Sequence, residues 1–293
     1  MKPLMQPIFY DTHAHLDYPD FSQELAQVIE RAQKAGIGKI ISIGTDLESS
    51  RRAVQLSEQF ANVFAVVGWH PSYAADAPTD LRPALRELGK KPKVVALGET
   101  GLDYHRLPSQ SKKPVNSAAQ PTDAKPEGER QDEFYKAKQA EVFTQHLEVA
   151  SELGLNCVIH QRDALEDTLK LLRPFARQVR GVFHCFANDE NAMRQILALG
   201  SLVSFTGILT FKNGQNIRDT LGVTPMNQFM LETDCPYLAP VPYRGKRCEP
   251  AYVKEIAEVA ASVKGCSMEE LSKATCATAN EFFRGLSGQT VEK

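Results

Sequence analysis

The chain has 293 residues, of which 42% are hydrophobic and 24% charged, the balance of a globular protein rather than a disordered, collagenous or membrane-spanning one. Thirty-four Lys and Arg against 36 Asp and Glu leave a net charge of −2, so no global positive field draws the chain to nucleic acid, and a polyanionic substrate has to be held locally. Met1 to Ile8 lacks the apolar run of a secretory signal, and nothing downstream approaches ~18 consecutive apolar residues. The reading is a cytoplasmic protein with no membrane partner and no evident obligate protein partner.

Short aliphatic runs alternate with helix-period segments along the chain, as a parallel sheet with crossover helices requires. The first run is Ile8–His15. It is followed by the stripe Leu25, Val28, Ile29 and Ala32, which ends at Gly36. Lys39–Gly44, Val63–Trp69 and Val94–Gly98 come next. The segment Arg106–Arg130, with Pro108, Pro114, Pro121 and Pro126, then breaks the rhythm. It reads as a mobile insertion at the carboxyl rim, either a lid or a solvated loop. The stripe Ala140, Phe143, Leu147 and Ala150 leads to Leu155–His160, and Gly181–Cys185, Leu202–Phe205 and Phe229–Thr233 complete the set. Eight strands within one domain spanning residues 1–293 predict an α/β fold, a closed (β/α)8 TIM-type barrel, whose usual length is ~200–400 residues. A doubly wound open sheet is the alternative. The first strand–helix turn, however, carries histidines and no G-x-G-x-x-G. The six cysteines are dispersed without a C-x-x-C pair, so they read as free thiols.

The chemistry concentrates at predicted strand ends. His13 and His15 alternate on one strand and so share a face, where two imidazoles can converge on a metal. Glu99 follows the fourth run, His160 ends the fifth, His184 lies in the sixth and Asp234 follows the eighth. In a barrel these ends meet. Buried charges and imidazoles without partners are costly, and a metal resolves that cost. Four His with one Glu and one Asp exceed the three or four ligands of a single catalytic zinc, so two divalent ions with a bridging carboxylate are the natural count. Zn, Mg, Mn and Co all remain open as identities.

Six segments carry a family resemblance: Asp11-Thr12-His13-Ala14-His15-Leu16-Asp17, Gly68-Trp69-His70-Pro71, Gly98-Glu99-Thr100-Gly101-Leu102-Asp103-Tyr104, His160-Gln161-Arg162-Asp163-Ala164, His184-Cys185-Phe186 and Leu231-Glu232-Thr233-Asp234-Cys235-Pro236-Tyr237. Together they resemble, in order, the motifs of TatD-like metal-dependent deoxyribonucleases. The resemblance implies an amidohydrolase-type barrel, divalent metals and hydrolysis of phosphodiesters, with DNA as the substrate. It places His13, His15 and Asp234 on one metal, His160 and His184 on the other, and Glu99 between them. Asp234 either accepts the attacking water's proton or serves purely as a ligand.

Neighbouring residues carry further expectations. His70 either hydrogen-bonds a substrate phosphate, as the motif match favours, or caps its strand. Asp103 orients His70 or another ligand, or is a turn carboxylate. Arg162 clamps phosphate or pairs with Asp163, and Arg244 in Tyr243-Arg244-Gly245-Lys246-Arg247 supplies local positive charge or a similar ion pair. His105 and His146 read as packing or surface residues. Cys185 and Cys235 read as pointing away from the metals. Cys248 stands where the family usually has Asn, and Ser72 replaces a frequent His. Two other readings compete with the nuclease: an amide, ester or other small-molecule hydrolase on the same barrel, and a non-catalytic metal-binding scaffold.

Overall fold

The computed structural model describes residues 7–105, 107–110 and 127–287. Eight parallel strands occur in sequence order around one sheet: β1 (Phe9–Ala14), β2 (Ile37–Ile43), β3 (Val63–Val67), β4 (Val94–Asp103), β5 (Cys157–Arg162), β6 (Gly181–Phe183), β7 (Leu202–Phe205) and β8 (Phe229–Leu231). The seam between the first and last strands is closed by main-chain bonds. Ala14 bridges Cys235, His15 N donates to Cys235 O at 2.8 Å, and Asp234 N donates to His13 O at 2.9 Å. The predicted barrel is therefore the observed one.

The connecting helices are α1 (Leu25–Lys34), α2 (Leu47–Gln59), α3 (Arg82–Gly89), α4 (Glu127–Leu153), α5 (Leu165–Leu172), α6 (Glu190–Ala198), α7 (Gln215–Val223) and α8 (Val253–Lys264), followed by α9 (Met268–Phe282). Side-chain caps set several starts. Asp46 accepts from Ser49 N at 2.7 Å, Asp189 accepts from Ala192 N at 2.9 Å, and Ser267 with Glu270 forms a capping box.

Alternation along the strands divides the core in two. Ile40, Ala65, Val67, Leu97 and Ile159 face the helices. Ile41, Ile43, Val66, Val95, Ala96, Val158, Val182, Leu202 and Met230 fill the barrel interior together with Ala279, Phe282, Phe283 and Leu286 from α9 and the turn after it. The last helix thus stoppers the amino-terminal end, and the opposite mouth is left to carry the site.

Two expectations need correction. The fourth strand does not end at Gly98 but runs on to Asp103, so Glu99 lies inside it. Gly98 reads as the end of the strand, yet it and Gly101 are what lets β4 approach β5. Both have positive φ, and a Cβ would stand 2.4 Å from Val158 O at Gly98 and 2.1 Å from His160 O at Gly101. The second correction concerns the expected insertion at 106–130. Residue 106 and residues 111–126 lie outside the described residues, while 127–130 already belong to α4 and Leu107 is buried. Among the described residues no helix is long and apolar enough to cross a membrane.

Candidate metal centre

Six predicted residues converge at the carboxyl mouth, with Glu99 at their centre. Its two oxygens face different imidazoles. Oε2 lies 3.3 Å from His13 Nε2 and 3.7 Å from His15 Nε2. Oε1 lies 2.7 Å from His184 Nε2, 2.9 Å from His160 Nδ1 and 3.3 Å from His70 Nε2. Asp234 Oδ1 joins the first side, 3.4 Å from His15 Nε2 and 3.8 Å from His13 Nε2. Glu99 and His13 are almost wholly buried, whereas 14% of the Asp234 side chain reaches solvent.

The far nitrogens show which atom of each ring faces the centre. His15 Nδ1 lies 3.4 Å from Ile43 O and His160 Nε2 lies 3.1 Å from Asp103 Oδ2. A proton on each of those atoms makes the bond, leaving a lone pair on the opposite nitrogen. Those lone pairs point at carboxylate oxygens, so acceptors face acceptors. His13 Nδ1, His13 Nε2 and His184 Nδ1 are buried without a hydrogen-bond partner. A cation between the rings and the carboxylates would resolve the opposed acceptors and give the orphaned His13 Nε2 a partner. The donor set, imidazole nitrogen with carboxylate oxygen and no thiolate, fits Zn and other borderline divalent ions. Three overlapping groups have donor atoms within 4.8 Å of one another: His13, His15 and Asp234; His13, Glu99 and His184; and His70, Glu99 and His160.

His70 differs from the other rings. Its Nδ1 accepts a hydrogen bond from Ser72 N at 3.1 Å, which leaves the neutral ring its proton on Nε2. That proton points at Glu99 Oε1 and at His160 Nδ1, 3.3 Å away. His70 is a donor into the centre, and its place just after β3, capping the turn that begins at Pro71, delivers the N–H there because the main chain has already used the other nitrogen. Electrostatics agree with an ionised Glu99. Burial pushes its carboxyl upward, but the His184, His70 and His13 rings prevail and hold it well below its ordinary value. Burial opposes charge on His184 as well, yet Glu99 and Glu232 raise it well above the usual imidazole range.

Of the expected partners of Asp103, the structure gives it the His160 ring. Its Oδ2 meets His160 Nε2, and its Oδ1 accepts from His105 N at 2.9 Å. Arg162 ends β5 with an exposed side chain, and Asp163, its expected partner, instead binds His105 Nδ1 at 2.8 Å. Arg244 is exposed on the loop after β8, with its guanidinium 3.7 Å above the Phe211 ring. His146 is a packing residue as expected: Nε2 accepts from Trp69 N at 3.0 Å and Nδ1 donates to Val142 O at 2.8 Å. Cys185 follows β6 in a left-handed conformation, φ 47°, and its Sγ lies 3.8 Å from Thr206 Oγ1.

Two buried carboxylates beneath the centre were not singled out from sequence. Glu232 accepts from Cys185 N at 2.6 Å and from Ser204 Oγ at 2.7 Å, and its Oε1 lies 3.6 Å from His184 Nδ1. Asp11 accepts from Thr233 N, Thr233 Oγ1 and His13 N, and burial pushes it up to about 8. The only signal was their place within the Asp11–Asp17 and Leu231–Tyr237 motifs. Their partners are main-chain groups and hydroxyls that become neighbours only in the fold.

A parallel barrel with nitrogen and oxygen donors converging at its carboxyl mouth is the architecture of hydrolases that work through divalent ions. The model of the TatD-related DNase family matches residues 10–284. A metal-dependent hydrolase of Bacillus subtilis, YabD, described as uncharacterized, is 35% identical over 278 residues, 94% of this chain and 99% of the relative. A protein of Erwinia amylovora named 3′-5′ ssDNA/RNA exonuclease TatD is 30% identical over 281 residues, 94% of this chain and 99% of its own. Among solved structures, a TatD homolog from Escherichia coli superimposes with a TM-score of 0.80 at 24% identity, covering 94% of this chain and 97% of that one. The chain belongs to the TatD-related DNase family, and it is a metal-dependent hydrolase.

Proposed function

We propose that this hydrolase cleaves phosphodiester bonds in DNA, as an exonuclease-like deoxyribonuclease, with two divalent ions in the centre. His13, His15 and Asp234 would hold one ion, His160 and His184 the other, and Glu99 would lie between them. The observation that carries this reading is the division of Glu99, one oxygen toward His13 and His15 and the other toward His160 and His184. Ions bound there would lower the pKa of a water and neutralise charge on the attacked phosphoryl group.

The chain's own groups supply the rest. Asp234, ionised beside His15 and partly open to solvent, takes the water's proton on a carboxylate oxygen as the new P–O bond forms and the bond to the leaving oxygen breaks. His70 directs its Nε2 proton at a non-bridging phosphate oxygen. Asp103 keeps the His160 ring in the tautomer whose Nδ1 faces inward. Arg162 at the end of β5 and Arg244 on the loop after β8 would meet flanking phosphates. The nucleic acid named for the Erwinia amylovora relative supports the choice of substrate.

The test is hydrolysis of single-stranded DNA and of a generic phosphodiester by purified protein, with and without chelator, beside Glu99→Gln. Wild type is expected to degrade DNA only when metal-loaded, and Glu99→Gln to lose at least 100-fold in rate while keeping its fold by circular dichroism, on the scale of losing organised metal and electrostatic catalysis. Unchanged turnover by Glu99→Gln overturns the bridging role. Cleavage of the generic diester alone removes DNA as substrate, and cleavage of neither removes the phosphodiesterase reading.

A further inference from the structure

The mouth of the barrel carries more aromatic surface than the centre itself uses. Tyr18 stacks on His15, with ring centroids 4.7 Å apart and planes at 18°. Tyr237, three residues beyond Asp234, meets both rings edge-on, at 6.4 Å from His15 and 6.3 Å from Tyr18. Across the mouth, Tyr73 stands 6.0 Å from the His70 ring, and its carbonyl accepts from the Trp69 indole N–H at 2.7 Å. Tyr237 is 53% exposed and Tyr73 47%. Burial, opposed by a hydrogen bond with Thr45 and aided by the Glu99 carboxylate, pushes the Tyr18 hydroxyl above the ordinary range.

Exposed aromatic faces beside a polar centre leave apolar area in water that a flat ligand would cover. A small phosphodiester offers nothing to cover it. A nucleotide brings a flat base on the same sugar as its phosphate, and any base stacks on an aromatic ring whatever its hydrogen-bonding edge. We propose that Tyr237, backed by Tyr18, is a stacking subsite for the base of the terminal nucleotide, with Tyr73 receiving the adjacent base. This subsite rests on the phosphodiesterase reading and deepens it. A base within a duplex has both faces covered by its neighbours, so the subsite selects an unpaired end. Selection is by the presence of a base, not by its identity.

Two measurements test it. Wild-type protein in Mg2+ is titrated with single-stranded oligonucleotides whose terminal linkages are hydrolysis-resistant phosphorothioates and which carry 2-aminopurine at one end or the other. Stacking on tyrosine quenches this base. Quenching at one end is expected, with Tyr237→Ala removing it and weakening binding about ten-fold, and Tyr237→Phe retaining both. In turnover, wild type is expected to prefer an intact terminal nucleotide over an abasic one by about ten-fold in kcat/KM, and Tyr237→Ala to bring that ratio close to one. Equal losses by Tyr237→Ala on intact and abasic ends, or binding without quenching at either end, overturn the subsite while leaving the phosphodiesterase reading intact. Absence of metal-dependent cleavage of either oligonucleotide by wild type overturns that reading instead, and the subsite with it.

Discussion

At the scale of single residues, the histidines of this protein show how environment divides one side chain into different tasks. His15 and His160 turn their free nitrogens toward carboxylates because the other nitrogen faces Ile43 O or Asp103, His70 presents a proton, and His146 is neutral structural packing. The last case has a measurable consequence. Burial holds His146 down at about 4, against 6.5 for the free ring, with the bond to Val142 O opposing the shift only partly. The unfolded chain therefore takes up a proton that the native state refuses. The stability this site contributes is complete above pH 6.5 and is lost as the pH falls toward about 4, where about 3 kcal/mol has gone. Urea denaturation from pH 7.5 to 4.5 should show this slope, and His146→Gln should flatten it relative to wild type. An identical slope in the variant would remove His146 as its source.

At the scale of elements, the strand ends hold the candidate metal-binding side chains, but the seam and the stopper hold the strands. Asp11 ties β1 to the segment after β8 through both the backbone and the hydroxyl of Thr233, at 2.9 and 2.6 Å. His13 and Asp234, on either side of that seam, thereby keep a common register. At the other end of the barrel, Phe282 and Phe283 are buried against the interior layer. Truncating Phe282 to Ala should cost about 3–5 kcal/mol, the range for deleting a buried aromatic ring. Metal stoichiometry should not change, because the lesion lies at the end opposite the centre. Denaturation midpoints and elemental analysis of the folded protein check the two parts. Loss of metal from the folded variant would mean that the stopper and the mouth are coupled.

For the whole molecule, net charge sets how a polyanion is held. With a net charge of −2 and cationic side chains on the rim at Arg162 and Arg244, two or three phosphate contacts are expected rather than a long basic track. Each contact to a single strand contributes about −0.7 to the slope of log affinity against log salt, so a slope of about −2 or shallower is expected. Fluorescence anisotropy with a hydrolysis-resistant oligonucleotide measures it. A slope near −5 would require more cationic contacts than Arg162 and Arg244 supply among the described residues.

The barrel and the cluster of ionisable residues at its mouth were legible in the sequence for physical reasons. Buried parallel strands must be aliphatic on both faces, and costly ionisable residues at their ends stand out against that background. His13, His15, Glu99, His160, His184 and Asp234 could be named on those grounds, and ordered motifs assigned them to a family. The extent of β4 was not legible, because glycine ordinarily ends a strand and only the closeness of β5 shows why Gly98 and Gly101 sit inside one. Nor were the roles of Glu232 and Asp11, whose partners lie 47 and 222 residues away. The proton on His70 was also hidden, being set by a main-chain N–H that the sequence does not position. Residue types along the chain determined which chemistry was possible, and the tertiary structure decided which atom of each residue faces it, since hydrogen-bond direction depends on neighbours brought together only by the closed barrel.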